Sequence, residues 1–271
     1  MQEMRRSAVR ARRWWAPVRW HAGVVAVPTP PALRFEQVGV AAEDGTWILH
    51  DVDLVLPLEG VSVLVGPSGS GKSTLLRLCN RLEVPTTGRV LLDGEDLAGI
   101  DPLALRRRVG MVFQRPTLFA GTVADNCRVA APDADAVRCA EVLGRCGLPQ
   151  DLLERTADDL SGGEAQRACI ARSLLTGPDV LLMDEATSAL DPDNRHRIEH
   201  LARELADAGT PVVWVTHDLD QAARLADRTV VVLDGTIADP AAAAAFVERG
   251  RSHGVGSAHD WAHDPTEHGG P

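Results

Sequence analysis

The chain has 271 residues, 45% of them apolar and 24% charged, a balance that excludes disorder for its bulk. That length allows one large α/β domain or two small ones, each with a buried core. A net charge of −10 argues against nucleic acid as a partner, and apolar runs such as Val61–Val65 fall far short of the ~18–20 residues of a membrane span.

Residues 1–31 form a basic N-terminal arm, with six arginines against Glu3, three tryptophans (Trp14, Trp15, Trp20) and a closing Pro28, Pro30 and Pro31. Arg19 and His21 interrupt any apolar core of a secretory signal. The arm is expected to be disordered or to stem from a start codon placed upstream of the fold, with adsorption to an anionic membrane surface as the alternative. A folded domain over 32–249 follows. Short strands are predicted at Leu33–Val38 and Val52–Leu56, and a fully buried one at Val61–Val65. After a Gly-rich turn come a helix from Lys72 to Arg81 and a strand at Arg89–Leu92, which ends in an Asp93-Gly94 turn. Residues 102–176 are mainly helical in pattern apart from 110–114, so a helical subdomain is placed at about 102–165. Buried strands at Val180–Asp184 and Val212–Thr216 then alternate with helices over 193–208 and 218–226. Such alternation predicts a largely parallel sheet covered on both faces. The tail, 250–271, is Gly-rich and carries His253, His259, His263 and His268, a composition expected to lack structure.

Five cysteines (Cys79, Cys127, Cys139, Cys146, Cys169) form an odd set with no C-x-x-C spacing. Cys139 and Cys146 fall on one helix face, but zinc would need two more ligands there. They read as small apolar residues of a reducing compartment.

Three stretches carry chemistry. Gly66-Pro67-Ser68-Gly69-Ser70-Gly71-Lys72-Ser73-Thr74 follows a buried strand and fits G-x-x-x-x-G-K-S/T. Its glycines let backbone N–H groups close around phosphate oxygens, while Lys72 reaches the β/γ-phosphates and Ser73 ligates magnesium. Lys72 is the single lysine among 27 arginines, in a chain without tyrosine. We read that imbalance as GC-rich codon bias, which makes the surviving lysine informative. Val180–Asp184 runs into Glu185, placing two acids at the end of an apolar strand; Asp184 suits the metal and Glu185 the attacking water. Leu160-Ser161-Gly162-Gly163-Glu164 opens a helix with a capping box, yet two glycines exceed what capping needs and fit a second anion site.

These residues resemble the ATP-binding cassette family. Gly66–Thr74 resembles its Walker A motif, Val180–Glu185 its Walker B, and Leu160–Arg167 its signature sequence. Gln114 is similar to the Q-loop glutamine, Ser188-Ala189-Leu190-Asp191 to the D-loop, and His217 to the switch histidine, in matching order over roughly 33–238. The resemblance implies a P-loop NTPase (RecA-like) α/β core with a small antiparallel β subdomain and a helical subdomain. It implies ATP and Mg²⁺ as cofactors, Gln114 as a further metal contact, and a γ-phosphate sensor at His217. It also implies a head-to-tail homodimer or paired ATPase, in which Ser161, Gly162, Gly163 and Asp191 act on the nucleotide across the interface. Separate transmembrane permease subunits are the expected partners, at the cytoplasmic face of the cell membrane. The family's usual adenine-stacking aromatic is missing from Val40–Ala42; Trp47 is either its substitute or a buried strand-edge residue. Leu78–Glu83 resembles phosphate-importer ATPases, whereas Pro116–Phe119 and Trp214–Asp218 look more like iron-export-associated ones. Phosphate or iron is therefore the expected cargo, and an Fe–S assembly or cell-division ATPase is the non-transport alternative.

Overall fold

The computed structural model describes residues 31–188 and 190–252. The expectations for the basic arm and for the His-rich tail past 252 lie outside the described residues.

Strands β1 (Ala32–Ala41) and β2 (Trp47–Pro57) pair antiparallel and are longer than the short strands expected at 33–38 and 52–56. The physical reason is a slip in period. Leu33 and Phe35 are buried, then Val38 and Val40, because Gln37 takes a left-handed φ of 49°. Asp51, at φ 50°, does the same between Leu49 and Val52 on the partner strand. Each bulge breaks the alternation that identifies a strand in sequence. Next come β3 (Val61–Val65), as expected, and α1 (Lys72–Leu78). That helix stops short of Arg81, whose φ of 55° cannot continue it.

Strand β4 (Thr87–Leu92) adds to β1, and β5 (Glu95–Asp96) adds to β4, so the first sheet is antiparallel with order β2-β1-β4-β5. After α2 (Pro102–Arg108), β6 (Val109–Val112) joins the other sheet, so the chain leaves that sheet for its helical portion only beyond Val112. The helical portion holds α3 (Val123–Ala130) and α4 (Ala136–Arg145), both packed on α5 (Gly162–Leu175). Strand β7 (Val180–Asp184), helix α6 (Pro192–Asp207), β8 (Val212–Thr216) and α7 (Leu219–Leu225) return to the sheet. Strands β9 (Arg228–Leu233) and β10 (Thr236–Ile237) and helix α8 (Pro240–Ser252) complete it, the helix extending past the boundary expected at 249.

The second sheet has order β10-β9-β3-β8-β7-β6 and is parallel except for the β9–β10 hairpin. Every residue of β3, β7 and β8 is buried, as a parallel strand covered on both faces requires. Val63, Met183 and Trp214 face one apolar cluster, which reaches the helical portion; Leu64, Leu182 and Val213 face the other, which is shared with the antiparallel sheet. All five cysteines are free and buried, and burial pushes the Cys79, Cys127 and Cys146 thiols up to about 12. Among the described residues no group of His, Cys, Asp and Glu could hold a metal ion by itself. No described helix is long and apolar enough to cross a membrane.

Candidate functional site

Register alone assembles the site. Val65 lies beside Thr216, Asp184 beside Val215, and Val112 beside Met183. Gly66, His217, Glu185 and Gln114 therefore leave their strands at one edge of the sheet, the carboxyl edge where α/β sheets bind ligands.

The Gly66–Thr74 loop is clasped between both sheets. A Cβ at Gly66 would stand 2.1 Å from the Val232 carbonyl oxygen, and one at Gly71 (φ 96°) would stand 2.5 Å from Leu49 Cδ2. Only glycine fits these two approaches. Gly69 faces open space, Ser68 is exposed, and Pro67 and Thr74 are half-buried. Lys72 Nζ donates to the carbonyl oxygens of Gly66 (2.9 Å) and Pro67 (2.6 Å). Burial pushes its ammonium pKa down, against the opposing pull of Glu185 and Asp184. Ser70 Oγ is buried without a hydrogen-bond partner. A buried hydroxyl left open in this glycine-rich loop suits an anion bound there.

Ser73 Oγ donates to Asp184 Oδ1 at 2.7 Å, and Arg77 lies 3.5 Å from Asp184 Oδ2. A hydroxyl and a carboxylate at one point are hard oxygen donors of the kind that magnesium takes. Glu185 accepts from Gln114 Nε2 at 3.3 Å and pairs with His217 Nδ1 at 3.5 Å. The hydrogen bond with His217 is the main influence holding the Glu185 carboxyl below its ordinary range, and the same bond raises the His217 imidazole. Glu185 itself sits at φ 44°, a left-handed conformation uncommon for a residue with a side chain.

Lys72, Ser73, Gln114, Asp184, Glu185 and His217 thus form one group. Ser161, Gly162, Gly163 and Asp191 form another, at the starts of α5 and α6. Ser161 and Glu164 exchange the two bonds of a capping box, and Gly162 faces open space. Asp191 caps α6 through the Asn194 amide, which holds its carboxyl pKa down. Asn194 also meets Arg167 and lies 3.0 Å from where a Cβ of Gly163 would be, so it joins the two helix starts.

Two residues near the site, Arg77 and Gln221, escaped the sequence reading. Arg77 falls four residues after Ser73, one helical turn on, and that spacing was a usable signal. Trp47, the alternative adenine platform or buried edge residue of the sequence reading, is 49% exposed at the start of β2 and lies over Gly39, so it is not a buried edge residue. Gln221 is buried beside Thr187 and had no local signal.

A phosphate loop on β3, acids at the end of β7, a histidine after β8 and a second glycine pair on α5 define a nucleotide-hydrolysing cassette. The chain belongs to the ABC transporter family, whose profile matches residues 49–188. It is 41% identical over 222 residues to "ABC transporter I family member 17" of Arabidopsis thaliana, covering 80% of this chain and 84% of that protein. It is 44% identical over 200 residues to "Phosphate import ATP-binding protein PstB" of Leifsonia xyli subsp. xyli, covering 67% and 77%. The solved structure of cbiO1 from Clostridium perfringens, part of the ABC transporter complex cbiONQ, superposes with a TM-score of 0.72 at 28% identity, covering 82% and 92%. The chain is an ATP-binding, ATP-hydrolysing subunit of an ABC transporter.

Proposed function

We propose that Glu185 is the group that orients and deprotonates the attacking water, and that the remaining site residues serve this step. The observation that carries it is the carboxylate itself, ionised and held between Gln114 and His217. Lys72 holds the β/γ-phosphates in place of its two carbonyl partners, and Ser73, Asp184 and Gln114 hold magnesium. When bound, the metal neutralises charge on the phosphates during transfer. His217 orients Glu185, with which it pairs at 3.5 Å, and donates to the γ-phosphate when ATP is bound. Trp47 takes the place of the missing adenine platform.

Ser161, Gly162, Gly163 and Asp191 face the nucleotide of a second copy in a head-to-tail homodimer, since their group carries no phosphate loop of its own. ATP closes the dimer and hydrolysis opens it, a population shift driven by differential affinity. The closing motion moves transmembrane permease subunits, with this chain peripheral at the cytoplasmic membrane face. Likeness to a phosphate-import ATPase supports phosphate as cargo, with iron as the second candidate.

Glu185→Gln is the decisive variant. It should bind ATP with wild-type affinity, lose turnover by at least ~1000-fold, and accumulate as an ATP-dependent dimer on gel filtration. Near-normal turnover would remove Glu185 from the role assigned to it.

A further inference from the structure

We propose that Gln221 and Thr187 act as a buried polar clamp that positions Glu185, an assignment that rests on the reading of Glu185 given above. Gln221 is 3% exposed, and three polar partners, from the turn after β7, from α6 and from β8, converge on its amide. Its Nε2 donates to Thr187 Oγ1 at 2.9 Å and to Glu199 Oε1 at 2.8 Å, and its Oε1 accepts from Trp214 Nε1 at 3.3 Å. The amide has only one orientation open to it. An indole N–H can only donate, so the amide oxygen must face Trp214; an ionised Glu199 can only accept, so the nitrogen must face that carboxylate.

Each partner lies on a segment that delivers a site residue. Thr187 is two residues past Glu185, and Trp214 is three residues before His217. Glu199 lies on α6, which Asp191 caps. Gln221 itself sits in the first turn of α7, where the Asp218 carboxylate accepts from its backbone N–H, directly after His217. Removing the clamp would leave the Glu185–Thr187 turn attached to the sheet mainly through the bond from Glu185 N to the Val215 carbonyl oxygen, 3.2 Å long.

That attachment matters because Glu185 is held in a left-handed conformation. Such backbone persists only where its surroundings over-determine it. The Thr187 anchor, fixed to α7 and α6, supplies that constraint one peptide beyond Ala186. Freed from it, the turn relaxes toward ordinary dihedrals and swings the Glu185 carboxylate away from Gln114 and His217. A displacement near 1 Å at a reacting group is enough to cost on the order of 100-fold in rate. ATP affinity depends on the Gly66–Thr74 loop, which the clamp does not touch, so it is unaffected.

The test compares Thr187→Val, which keeps the shape and removes the acceptor, with Thr187→Ser, which keeps the acceptor. Turnover, ATP affinity and melting temperature are measured for each on the full chain, with Glu185→Gln as reference. The clamp predicts that Thr187→Val lowers kcat at least tenfold with ATP affinity within twofold of wild type, and that Thr187→Ser restores kcat to within about twofold. Equal loss in both variants, or a lowered melting temperature with normal kcat, would show a packing role and overturn the proposal. If Thr187→Val does not fold, Thr187→Ala takes its place under the same criteria. A dead Glu185→Gln beside a fully active Thr187→Val sinks the clamp alone; an active Glu185→Gln sinks the reading of Glu185 first.

Discussion

Lys72 shows how much one side chain can be asked to do. Its ammonium fits inside the loop because it is a compact point charge with three rotatable donors, two of them already spent on the carbonyls of Gly66 and Pro67. A guanidinium is longer and planar, and it suits bidentate contact from outside a cradle. Lys72→Arg should therefore keep the charge yet lower kcat at least ~100-fold, or ~2.7 kcal/mol in the barrier. Steady-state hydrolysis at saturating Mg-ATP measures this directly, and a near-wild-type rate would refute the phosphate role. Trp47 allows a second check at the same scale. Its ring is half-exposed over Gly39 at the start of β2. Trp47→Ala should raise the ATP dissociation constant about tenfold, close to the ~1.4 kcal/mol of one base–aromatic stack, and leave kcat unchanged. Equilibrium binding of a fluorescent ATP analogue, displaced by ATP, reads that constant; an unchanged value would place adenine elsewhere.

Among the elements, α6 and α7 are held together by an ion pair that titrates. Burial alone would raise the Glu199 carboxyl, but bonds from Arg224 (3.0 and 3.2 Å) and Gln221 outweigh it and bring the pKa below its ordinary value. A lowered folded-state pKa contributes stability that is full above the unfolded-state value and is lost as pH falls through the folded one. Glu199→Gln should thus destabilise the protein by about 2 kcal/mol near neutrality, with the gap from wild type closing below the ordinary carboxylate range. Urea unfolding across that pH span measures it, and a gap independent of pH would show that the charge of Glu199 contributes nothing. The same elements show what a sequence can reveal. Strands β3 and β7 were legible because short, mainly apolar β-branched and aliphatic runs lead straight into Gly66 or into Asp184-Glu185. β1 and β2 were legible only in part, since the left-handed residues Gln37 and Asp51 shift the alternation in mid-strand. Helix α8 went unread because its alanine run has no polar face to set a period. The partners of Gln221 come from three separate segments of the chain, and no spacing rule reaches that far.

For the whole molecule, the two groups of site residues make a prediction about pairs of chains. Lys72→Ala removes the phosphate grip, and Ser161→Arg blocks the start of α5; each alone should be inactive. In a head-to-tail dimer of the two variants, one composite site carries both defects and the other carries neither. Mixing the inactive proteins should restore hydrolysis, whereas a mixture as dead as its parts would count against sites shared between copies. The sheet order also dictates when a site can exist at all. Strand β3 carries the phosphate loop but pairs with β8 and β9, its neighbours in space and among the last strands in the chain. The Val232 carbonyl that closes over Gly66 arrives with β9 as well. During synthesis the nucleotide cradle therefore waits for most of the chain to emerge, and such long-range parallel pairing is intrinsically slow. Nascent chains arrested before Leu233 should be unable to retain ATP, although the entire Gly66–Thr74 motif has long since left the ribosome.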